Sequence, residues 1–263
     1  MKIAVCIKQV PDTTEVRLDP KTNTLIREGV PSMVNPNDKA ALEVALRLKD
    51  ADSAITVTAV CMGPPQADVA LREALAMGCD SATLISAREF GGSDTYATAA
   101  IIAAELKRKD FDLIITGRQA IDGETAQVGP QTAERLGIPQ VSYAEDIQLK
   151  EKSVVVKRRY EGCIHMIEAP LPCLITVLPE IATPRYMTVR GTVRAYATEV
   201  PVVTFEDLKT HLNPDWIGLK GSPTNVVKSF TKQVKGKGTL LTGLSEDEAV
   251  SAIVRKLDEL AII

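Results

Sequence analysis

The sequence is poor in histidine and aromatic residues, and it contains no long apolar run. Only 4% of its 263 residues are aromatic, and it has one tryptophan, two histidines and five cysteines. His165 and His211 are far apart and have no cluster of other ligands beside them, which argues against a zinc site. The cysteines form no C-x-x-C pair, so we expect free thiols in a reducing cytoplasm. The apolar runs are far shorter than a membrane span, which argues against membrane insertion.

The charge is nearly balanced, with 31 basic and 34 acidic residues and a net charge of −3. No face or tail is basic enough to indicate binding to nucleic acid. The N-terminal residues MKIAVCIKQV lack the layout of a signal peptide, because the apolar run is short and ends at Lys8. We therefore expect a cytoplasmic protein, large enough for one domain with a substantial appendage.

Several signatures of catalysis are missing. The sequence contains no G-x-x-x-x-G-K-[ST] loop, and the first strand is followed by KQVPDT rather than G-x-G-x-x-G. The glycines of Phe90–Ser93 follow Arg88 and Glu89 rather than a strand end, so we interpret them as a turn. Neither a pair of carboxylates nor a nucleophile and base can be assigned. We assign no catalytic residue and no metal ligand, and expect a bound cofactor to supply the chemistry.

The first half of the chain alternates between strand and helix patterns. Apolar runs predict strands at Lys2–Ile7, Ser53–Met62, Ser81–Ile85 and Phe111–Thr116, and helical periodicity predicts helices at Pro36–Asp50, Gly63–Met77 and Asp94–Lys107. This alternation predicts an α/β fold, a mostly parallel, Rossmann-like nucleotide-binding sheet flanked by helices. Ligands bind such sheets at the carboxyl ends of the strands, which selects the loops after Ile7, Met62 and Thr116 as one common site.

The pattern changes after Val141. Three short strand-like runs predict an antiparallel extension of the sheet, at Tyr143–Leu149, Ser153–Tyr160 and Cys163–Ala169, and Cys173–Val177 predicts one more strand. We place the nucleotide-binding domain with this ribbon at residues 1–191, and an extended C-terminal arm with a final helix at residues 192–263. Residues 212–239 contain little that could form a core of their own, and Ser245 and Glu248 form a capping box for a helix to Leu260. Such an arm and helix favour docking on a partner subunit.

The most informative segment is Gly117–Leu136, GRQAIDGETAQVGPQTAERL. A glycine-bearing loop between a strand and a helix start at Thr132 is typical of phosphate binding, since free N–H groups and the helix dipole both favour an anion. Thr125, Gln127, Gln131 and Thr132 add polar groups, while Gly123 and Gly129 permit close approach of a ligand. The loop has no lysine or cysteine and Arg118 lies upstream, which favours holding a nucleotide without attacking it. An ordinary strand-to-helix connection capped by a threonine is the alternative.

Four motifs together resemble the β subunit of electron-transfer flavoprotein. They are NPND at Asn35–Asp38, LREALAMG at Leu71–Gly78, GRQAIDGETAQVGPQTAE within Gly117–Leu136 and TPRYMTVRG at Thr183–Gly191. The match spans essentially the whole chain. DGETAQVGP at Asp122–Pro130 and GSPTNVVKSFT at residues 221–231 are most similar to the electron-bifurcating group. Members that bind structural AMP resemble D-D-C-N-Q-T-G-Q at the first of these places.

The resemblance implies a heterodimer with a larger α subunit. In the bifurcating group an FAD in the β-subunit site accepts hydride from NADH, the electron donor, and passes its electrons singly. One goes to ferredoxin or flavodoxin, and the other goes through the α-subunit FAD to an acyl-CoA or lactate dehydrogenase-type partner. This chain would then be an electron-transfer subunit of an NADH-dependent bifurcating oxidoreductase complex. Two alternatives stay open: a β subunit with structural AMP in a single-electron shuttle between dehydrogenases and the electron-transport chain, and a stand-alone nucleotide-binding regulator.

The resemblance also implies roles for individual residues. Cys6 would lie against the adenosine, Met62 would pack on the adenosine or ribose beside Gly63, and Asn35 would combine an N-cap with a contact to the nucleotide. The full cofactor-binding set is Cys6, Asn35, Asp38, Met62, Gly63, Asp122, Gly123, Glu124, Thr125, Ala126, Gln127, Val128, Gly129, Pro130, Gln131 and Thr132. The partner-binding set is Pro184, Arg185, Tyr186, Val189 and Arg190.

At Val189 the AMP-binding members place a leucine anchor. Plainer interpretations also exist for these residues: Asn35 as an N-cap alone, Cys6 and Met62 as core residues, and residues 184–194 as an exposed loop with one apolar residue.

Overall fold

The structure, a computed structural model, describes residues 1–12, 31–224, 226–227, 236 and 238–263. These residues group into two units, Met1–Val227 and Lys228–Ile263. The elements of the first unit, in chain order, are β1 (Lys2–Ile7), β2 (Gln9–Pro11), β3 (Ser32–Val34), α1 (Pro36–Ala51), β4 (Thr56–Met62), α2 (Asp68–Met77), β5 (Ser81–Ile85), α3 (Thr95–Lys107), β6 (Leu113–Gly117), α4 (Val128–Leu136), β7 (Gln140–Leu149), β8 (Ser153–Tyr160), β9 (Cys163–Pro170), β10 (Cys173–Val177), α5 (Val189–Ala197), β11 (Val202–Val203) and α6 (Phe205–Leu208). The second unit contains α7 (Glu246–Glu259).

A nine-stranded sheet organises the first unit. Its strand order is β11-β5-β4-β1-β6-β10-β7-β8-β9. Every pair from β11 to β7 is parallel, and the β7-β8 and β8-β9 pairs are antiparallel. The predicted α/β fold with a mostly parallel sheet and an antiparallel ribbon is therefore confirmed. The short pair β2-β3 and the edge strand β11 were not predicted, because runs of two or three residues leave no periodic pattern.

Helices cover both faces of the sheet, because successive strand residues point to opposite sides. Ile3 and Val5 belong to a buried cluster with residues of α1 and α2, whereas Ala4 belongs to a second cluster with residues of α3 and α4. The chain runs from β1 through β4 to β5 on one side, and α3 then returns it to β6 on the other side of β1. That reversal places a topological switch point beside β1, where α/β sheets bind ligands.

Residues 192–224 differ from the predicted arm. The helix α5 packs on α2, and four buried apolar side chains from β11 onward pack in the cluster that contains α3: Val203, Leu208, Leu212 and Ile217. This stretch is part of the unit that ends at Val227. Much of the segment after residue 224 lies outside the described residues, so docking of the arm on a partner stays a prediction.

The second unit contains the predicted C-terminal helix. The Ser245 hydroxyl accepts a hydrogen bond from the Glu248 backbone N–H, and the Glu248 carboxylate accepts one from the Ser245 backbone N–H at 2.8 Å. The predicted capping box is therefore confirmed. Across the described residues, we find no helix with the length and apolarity that a membrane crossing requires.

Candidate nucleotide site

A cavity of about 910 Å³ lies at the carboxyl ends of four adjacent strands, β5, β4, β1 and β6. Its wall includes the strand ends and the residues that follow them: Cys6–Gln9 at the end of β1, Met62–Gln66 at the end of β4, Ile85–Arg88 at the end of β5 and Thr116–Ala120 at the end of β6. The three loops predicted to share one site therefore do so, and the loop after β5 joins them. The volume is at the upper end of the range of about 300–1,000 Å³ that ligand pockets occupy.

The first turn of α1 holds two of these loops in place. The buried Asp38 carboxylate accepts a hydrogen bond from the Lys8 N–H at 2.8 Å and another from the Gly117 N–H at 3.2 Å. The Asn35 side chain donates to the Gln119 carbonyl at 2.9 Å and accepts from the Ile121 N–H at 3.2 Å. The NPND motif therefore ties the loops after β1 and β6 to one helix end.

Burial raises the pKa of Asp38 to about 7, and the two backbone N–H groups and the Lys8 ammonium oppose that rise only in part. The Asp38 carboxyl is thus a proton-binding group in the cavity wall. Its ionised form is the one that can accept both backbone hydrogen bonds.

Residues 123–129, which we call the phosphate loop, turn sharply and lead into the first residues of α4. Glu124 and Ala126 adopt left-handed conformations with φ of 50° and 54°, which L-residues rarely do without a compensating interaction. Within the described part of the chain, the backbone N–H groups of Thr125, Ala126, Gln127 and Val128 form no hydrogen bond. Successive N–H groups in such a loop form a concave anion site, and the start of α4 adds its dipole.

The N-terminus of α3 faces the same cavity as that of α4. Asp94 caps α3 by accepting from the Ala97 N–H at 3.0 Å, and the Thr95 hydroxyl donates to Gln127 Oε1 at 2.8 Å. Burial alone would raise the pKa of Asp94, but the hydrogen bonds from Ala97 and Thr224 lower it below its ordinary value. Two helix N-termini therefore converge on the cavity wall, which favours an anionic group between them.

An ion pair crosses from β1 to the loop that precedes the phosphate loop. Lys8 Nζ lies 2.6 Å from Asp122 Oδ1. Asp122 itself is absent from the cavity wall, whereas Lys8, Arg88 and Arg118 contribute basic side chains to it. Backbone donors of the phosphate loop and basic residues in the wall, together with a cavity that extends across four strand ends, fit the phosphates and the remainder of a nucleotide.

Three glycines of this region differ in the space around them: two are closely packed and one borders open space. A Cβ on Gly117 would lie 2.4 Å from Asp38 Oδ1, and a Cβ on Gly129 would lie 2.8 Å from Thr176 Cγ2. Both positions therefore require glycine for packing within the protein. A Cβ on Gly123 would meet no atom within 4 Å, so Gly123 borders open space in the cavity.

The family model of the electron transfer flavoprotein domain matches residues 22–208. The chain belongs to the electron transfer flavoprotein family. It is 50% identical over 264 residues to the caffeyl-CoA reductase-Etf complex subunit CarD of Acetobacterium woodii, covering 100% of both chains. It is 50% identical over 259 residues to the electron transfer flavoprotein subunit beta of Clostridium acetobutylicum, covering 98% of both. The acryloyl-CoA reductase electron transfer subunit gamma of Anaerotignum propionicum is 49% identical over 270 residues, again with 100% of both chains covered. The resemblance to the β subunit is confirmed.

In this electron transfer flavoprotein chain, most of the predicted cofactor-binding residues line the cavity. They are Cys6, Asp38, Met62, Gly63, Gly123, Glu124, Thr125, Ala126, Gln127, Val128 and Gly129. The others are not part of the cavity wall: Asn35, Asp122, Pro130, Gln131 and Thr132. Whether the lining residues touch a nucleotide in the assigned way stays a prediction.

Local geometry explains two of these exceptions. Asn35 occupies the N-cap position, but its side chain makes no cap hydrogen bond and is fully buried against the loop after β6. The predicted N-cap position is therefore confirmed, although the Asn35 side chain bonds the loop after β6 instead of the helix, and its contact with a nucleotide stays a prediction. The helix α4 begins at Val128 rather than at Thr132, and the Thr132 hydroxyl donates back to the Val128 carbonyl at 2.7 Å, so Thr132 is not a donor at the cavity.

Sequence reasoning missed the wall contributed by β5 and α3. The missed polar residues of this wall are Ser86, Arg88, Ser93, Asp94, Thr95 and Thr98, and Lys8 and Gln9 after β1 were missed as well. The glycines interpreted as a plain turn, Gly91 and Gly92, also line the cavity. The available signal was the strand-end rule itself, since β5 is parallel to β4 and ends at the same edge of the sheet.

Among the described residues, the cavity wall contains one cysteine, Cys6, and no histidine. All five cysteines are free thiols, and burial raises the pKa of Cys6 to about 12, which keeps it neutral and weakly nucleophilic. Among the residues that the structure describes, no group of three or more His, Cys, Asp and Glu side chains could hold a metal ion.

The predicted partner-binding segment leads into α5. Tyr186 and Val189 are 95% and 85% exposed, Arg190 is also exposed, and Pro184 is half-buried. Arg185 instead points to α1, where its Nε lies 2.8 Å from Glu43 Oε2. It therefore holds the segment against α1, and its contact with a partner stays a prediction.

Val193 and Tyr196 share the outer face of α5 with Val189 and are 68% and 71% exposed. These three residues, which we call the outer face of α5, form a helical apolar face. The interpretation of residues 184–194 as an exposed loop with one apolar residue was wrong.

Proposed function

We propose that this chain is the FAD-binding β subunit of an electron-bifurcating flavoprotein that is reduced by NADH. The observation that carries the proposal is the extent of the cavity, which runs from the phosphate loop across the ends of four strands. FAD contains the whole of AMP plus a second phosphate, a ribityl chain and the isoalloxazine ring, so it needs that additional length. A relative named as part of a caffeyl-CoA reductase-Etf complex and one named as an acryloyl-CoA reductase subunit support the same proposal.

The chain's own residues would bind and orient the cofactor. The N–H groups of the phosphate loop and the dipoles of α3 and α4 would hold the pyrophosphate, and Cys6 and Met62 would pack on the adenosine. Lys8 and Arg118 would offset the phosphate charge. When bound, the flavin supplies hydride acceptance and single-electron transfer, chemistry that the side chains cannot provide.

The electrons leave through partner proteins in this proposal. The chain pairs with an α subunit that carries a second FAD, and one electron continues from there to an acyl-CoA or lactate dehydrogenase-type partner. The other goes to ferredoxin or flavodoxin. The outer face of α5 and Tyr186 are proposed as the contact for the dehydrogenase, since aromatic and aliphatic anchors on an exposed face carry much of an interface's affinity.

Nucleotide content tests the proposal directly. The chain would be co-expressed with its α subunit, the pure complex denatured, and FAD and AMP quantified per heterodimer. Two FAD and no AMP, with flavin reduction by NADH under anaerobic conditions, are expected. One FAD with one AMP would reject the proposal in favour of a structural nucleotide and a single-electron shuttle.

A pair of variants assigns the second FAD to this chain. Gly123→Leu places a side chain in the open space of the cavity and should remove one FAD per heterodimer. Ala54→Leu adds a similar bulk at an exposed turn before β4 and should leave both FADs in place. If Gly123→Leu retains both FADs, the second flavin is bound elsewhere.

A further inference from the structure

Residues 217–224, which we call the strap, are fastened to the wall of the nucleotide cavity. The Leu219 N–H donates to the Gly91 carbonyl at 3.1 Å, and the Gly218 N–H donates to the Ser93 hydroxyl at 3.0 Å. Gly91 and Ser93 both line the cavity. The strap thus binds the segment that connects β5 to α3, over one hundred positions earlier in the chain.

Two further hydrogen bonds join the strap to the cap of α3. The Asp94 N–H donates to the Ser222 hydroxyl at 2.8 Å, and the Thr224 N–H donates to Asp94 Oδ2 at 2.9 Å. The other Asp94 oxygen accepts from the Ala97 N–H. One carboxylate therefore caps the helix and holds the strap at the same time, and its ionised state strengthens both bonds.

Packing leaves the strap little freedom to shift. Gly218 has a left-handed φ of +63°, and a Cβ there would lie 2.4 Å from the Glu89 carbonyl oxygen. The strap begins at the buried side chain of Ile217. Just before it, Trp216 packs edge-on against Tyr96, and the Arg135 guanidinium lies over both rings, 4.2 Å from the Tyr96 centroid and 5.8 Å from that of Trp216. Tyr96 and Arg135 belong to α3 and α4, the two helices whose N-termini face the cavity.

The hydrogen bonds continue from the strap to the phosphate loop. Ser222 and Thr224 bond to Asp94, and the next residue, Thr95, donates to Gln127 at the start of α4. We propose that the strap is a positioning element for the nucleotide: through Asp94 and Thr95 it fixes Gln127 and the phosphate loop in their binding geometry. This inference rests on the proposed nucleotide site, but it applies to the phosphates of FAD and of AMP alike.

The test measures release of nucleotide from the purified heterodimer. Ser222→Ala removes the hydroxyl that accepts from Asp94. Asp94→Asn keeps an oxygen for the Ala97 N–H but replaces the one that accepts from the Thr224 N–H. Each variant should release the nucleotide of this chain about tenfold faster, equivalent to about 1.4 kcal/mol. Ser222→Thr retains a hydroxyl and should restore the wild-type rate.

Matched controls separate this role from a general loss of stability. Ser153→Ala removes a hydroxyl that bonds Glu168 on the ribbon, and Asp207→Asn alters the capping box of α6. Neither residue lines the cavity. Both controls should release nucleotide at the wild-type rate, and the unfolding temperature of every nucleotide-free variant would be measured alongside. The Gly123→Leu complex identifies which release phase belongs to this chain.

Different outcomes would reject the positioning role of the strap and the proposed function. If Ser222→Ala and Asp94→Asn release nucleotide at the wild-type rate, or if the controls release it as fast as they do, the strap has no positioning role. If the wild-type complex releases AMP instead of a second FAD, the proposed function fails. In that case the release of AMP from the wild type, the strap variants and the controls can be compared in the same way, and this comparison still decides the role of the strap.

Discussion

Arg72 and Arg194 each donate hydrogen bonds to the carbonyl end of the other's helix. The Arg72 guanidinium on α2 reaches the Ala195 carbonyl near the end of α5 at 2.6 Å. The Arg194 guanidinium on α5 reaches the Leu75 carbonyl near the end of α2 at 3.1 Å. The last carbonyls of a helix carry its negative end, which a guanidinium complements. The Leu75 carbonyl also accepts from the Gly78 N–H at 3.1 Å, so Arg194 is its second donor. This exchange fixes α5 on α2 and leaves the outer face of α5 towards solvent.

Loss of either arginine should loosen α5 and weaken docking of the dehydrogenase. For Arg72→Ala we expect a loss of about 1–3 kcal/mol in unfolding free energy, since carbonyls would lose a charged donor. The KM for the partner dehydrogenase should rise, while reduction of flavin by NADH keeps its rate. Arg159→Ala is the matched control, because Arg159 pairs with Glu145 on the ribbon. An unchanged KM in Arg72→Ala would show that α5 keeps its place without this bond.

The outer face of α5 should respond to the size of its first apolar residue. Val189→Ala removes apolar area from an 85% exposed side chain and should raise the KM for the dehydrogenase without lowering stability. Val189→Leu restores the residue type of AMP-binding members and should lower the KM or leave it unchanged. Val202→Ala, an exposed valine on the edge strand β11, serves as the control. Equal KM values for all three variants would place the contact elsewhere.

Substitution of two glycines of the cavity should have different effects: Gly117→Ala should lower stability, and Gly123→Ala should weaken nucleotide binding. Gly117→Ala would force a Cβ to 2.6 Å from the Asn37 carbonyl carbon, and such overpacking costs about 1–3 kcal/mol or more. Gly123→Ala meets no neighbour and should unfold at nearly the wild-type denaturant concentration, while it holds nucleotide less tightly. Urea unfolding of the nucleotide-free protein and nucleotide content distinguish the two. Equal unfolding midpoints would contradict the packing role of Gly117.

Asp38 should make stability depend on pH. Burial raises its pKa from the ordinary 3.8 to about 7, so between those values the native state binds a proton that the unfolded chain does not. The Asp38 contribution to the unfolding free energy is therefore fully present below about pH 4 and is lost as the pH rises to about 7. Asp38→Asn cannot titrate. In urea unfolding of the nucleotide-free proteins, the unfolding free energy of Asp38→Asn should rise relative to that of the wild type between about pH 4 and about pH 7. Parallel curves would contradict the shifted pKa.

Local patterns predicted the sheet and its site because the relevant signals lie close together in sequence. Lys2–Ile7 and Ser81–Ile85 are apolar runs that end where the structure ends them. The loops after such strands must lie at one edge of a parallel sheet, so the cavity could be located before any contact was known. The start of α4 was misplaced because Gly129 and Pro130 suggest a loop, although proline is tolerated in the first turn of a helix.

Contacts between distant segments could not be predicted in the same way. Asn35 is of a residue type that N-caps favour, and it occupies the N-cap position. Its side-chain bonds to the loop after β6 could not be predicted, because only the fold brings that loop within reach. The position of the strap could not be predicted, because the strap has little apolar periodicity. Single hydrogen bonds to Gly91, Ser93 and Asp94 hold it, and they leave no pattern in the sequence. The helix α5 was missed because its exposed apolar residues suggest an arm, and its attachment depends on Arg72 of another helix.

The position of β1 also bears on how the protein is made. Lys2–Ile7 is synthesised before β4 and β6, yet it lies between these two strands in the interior of the sheet. Until those strands arrive, its backbone groups have no parallel neighbour and its apolar side chains have no cover, a condition that invites aggregation. Because the strand ends that form the cavity belong to β1, β4, β5 and β6, a nascent chain has no complete site to offer. Under the proposed function, cofactor loading would therefore follow assembly of the sheet and would not guide its first steps.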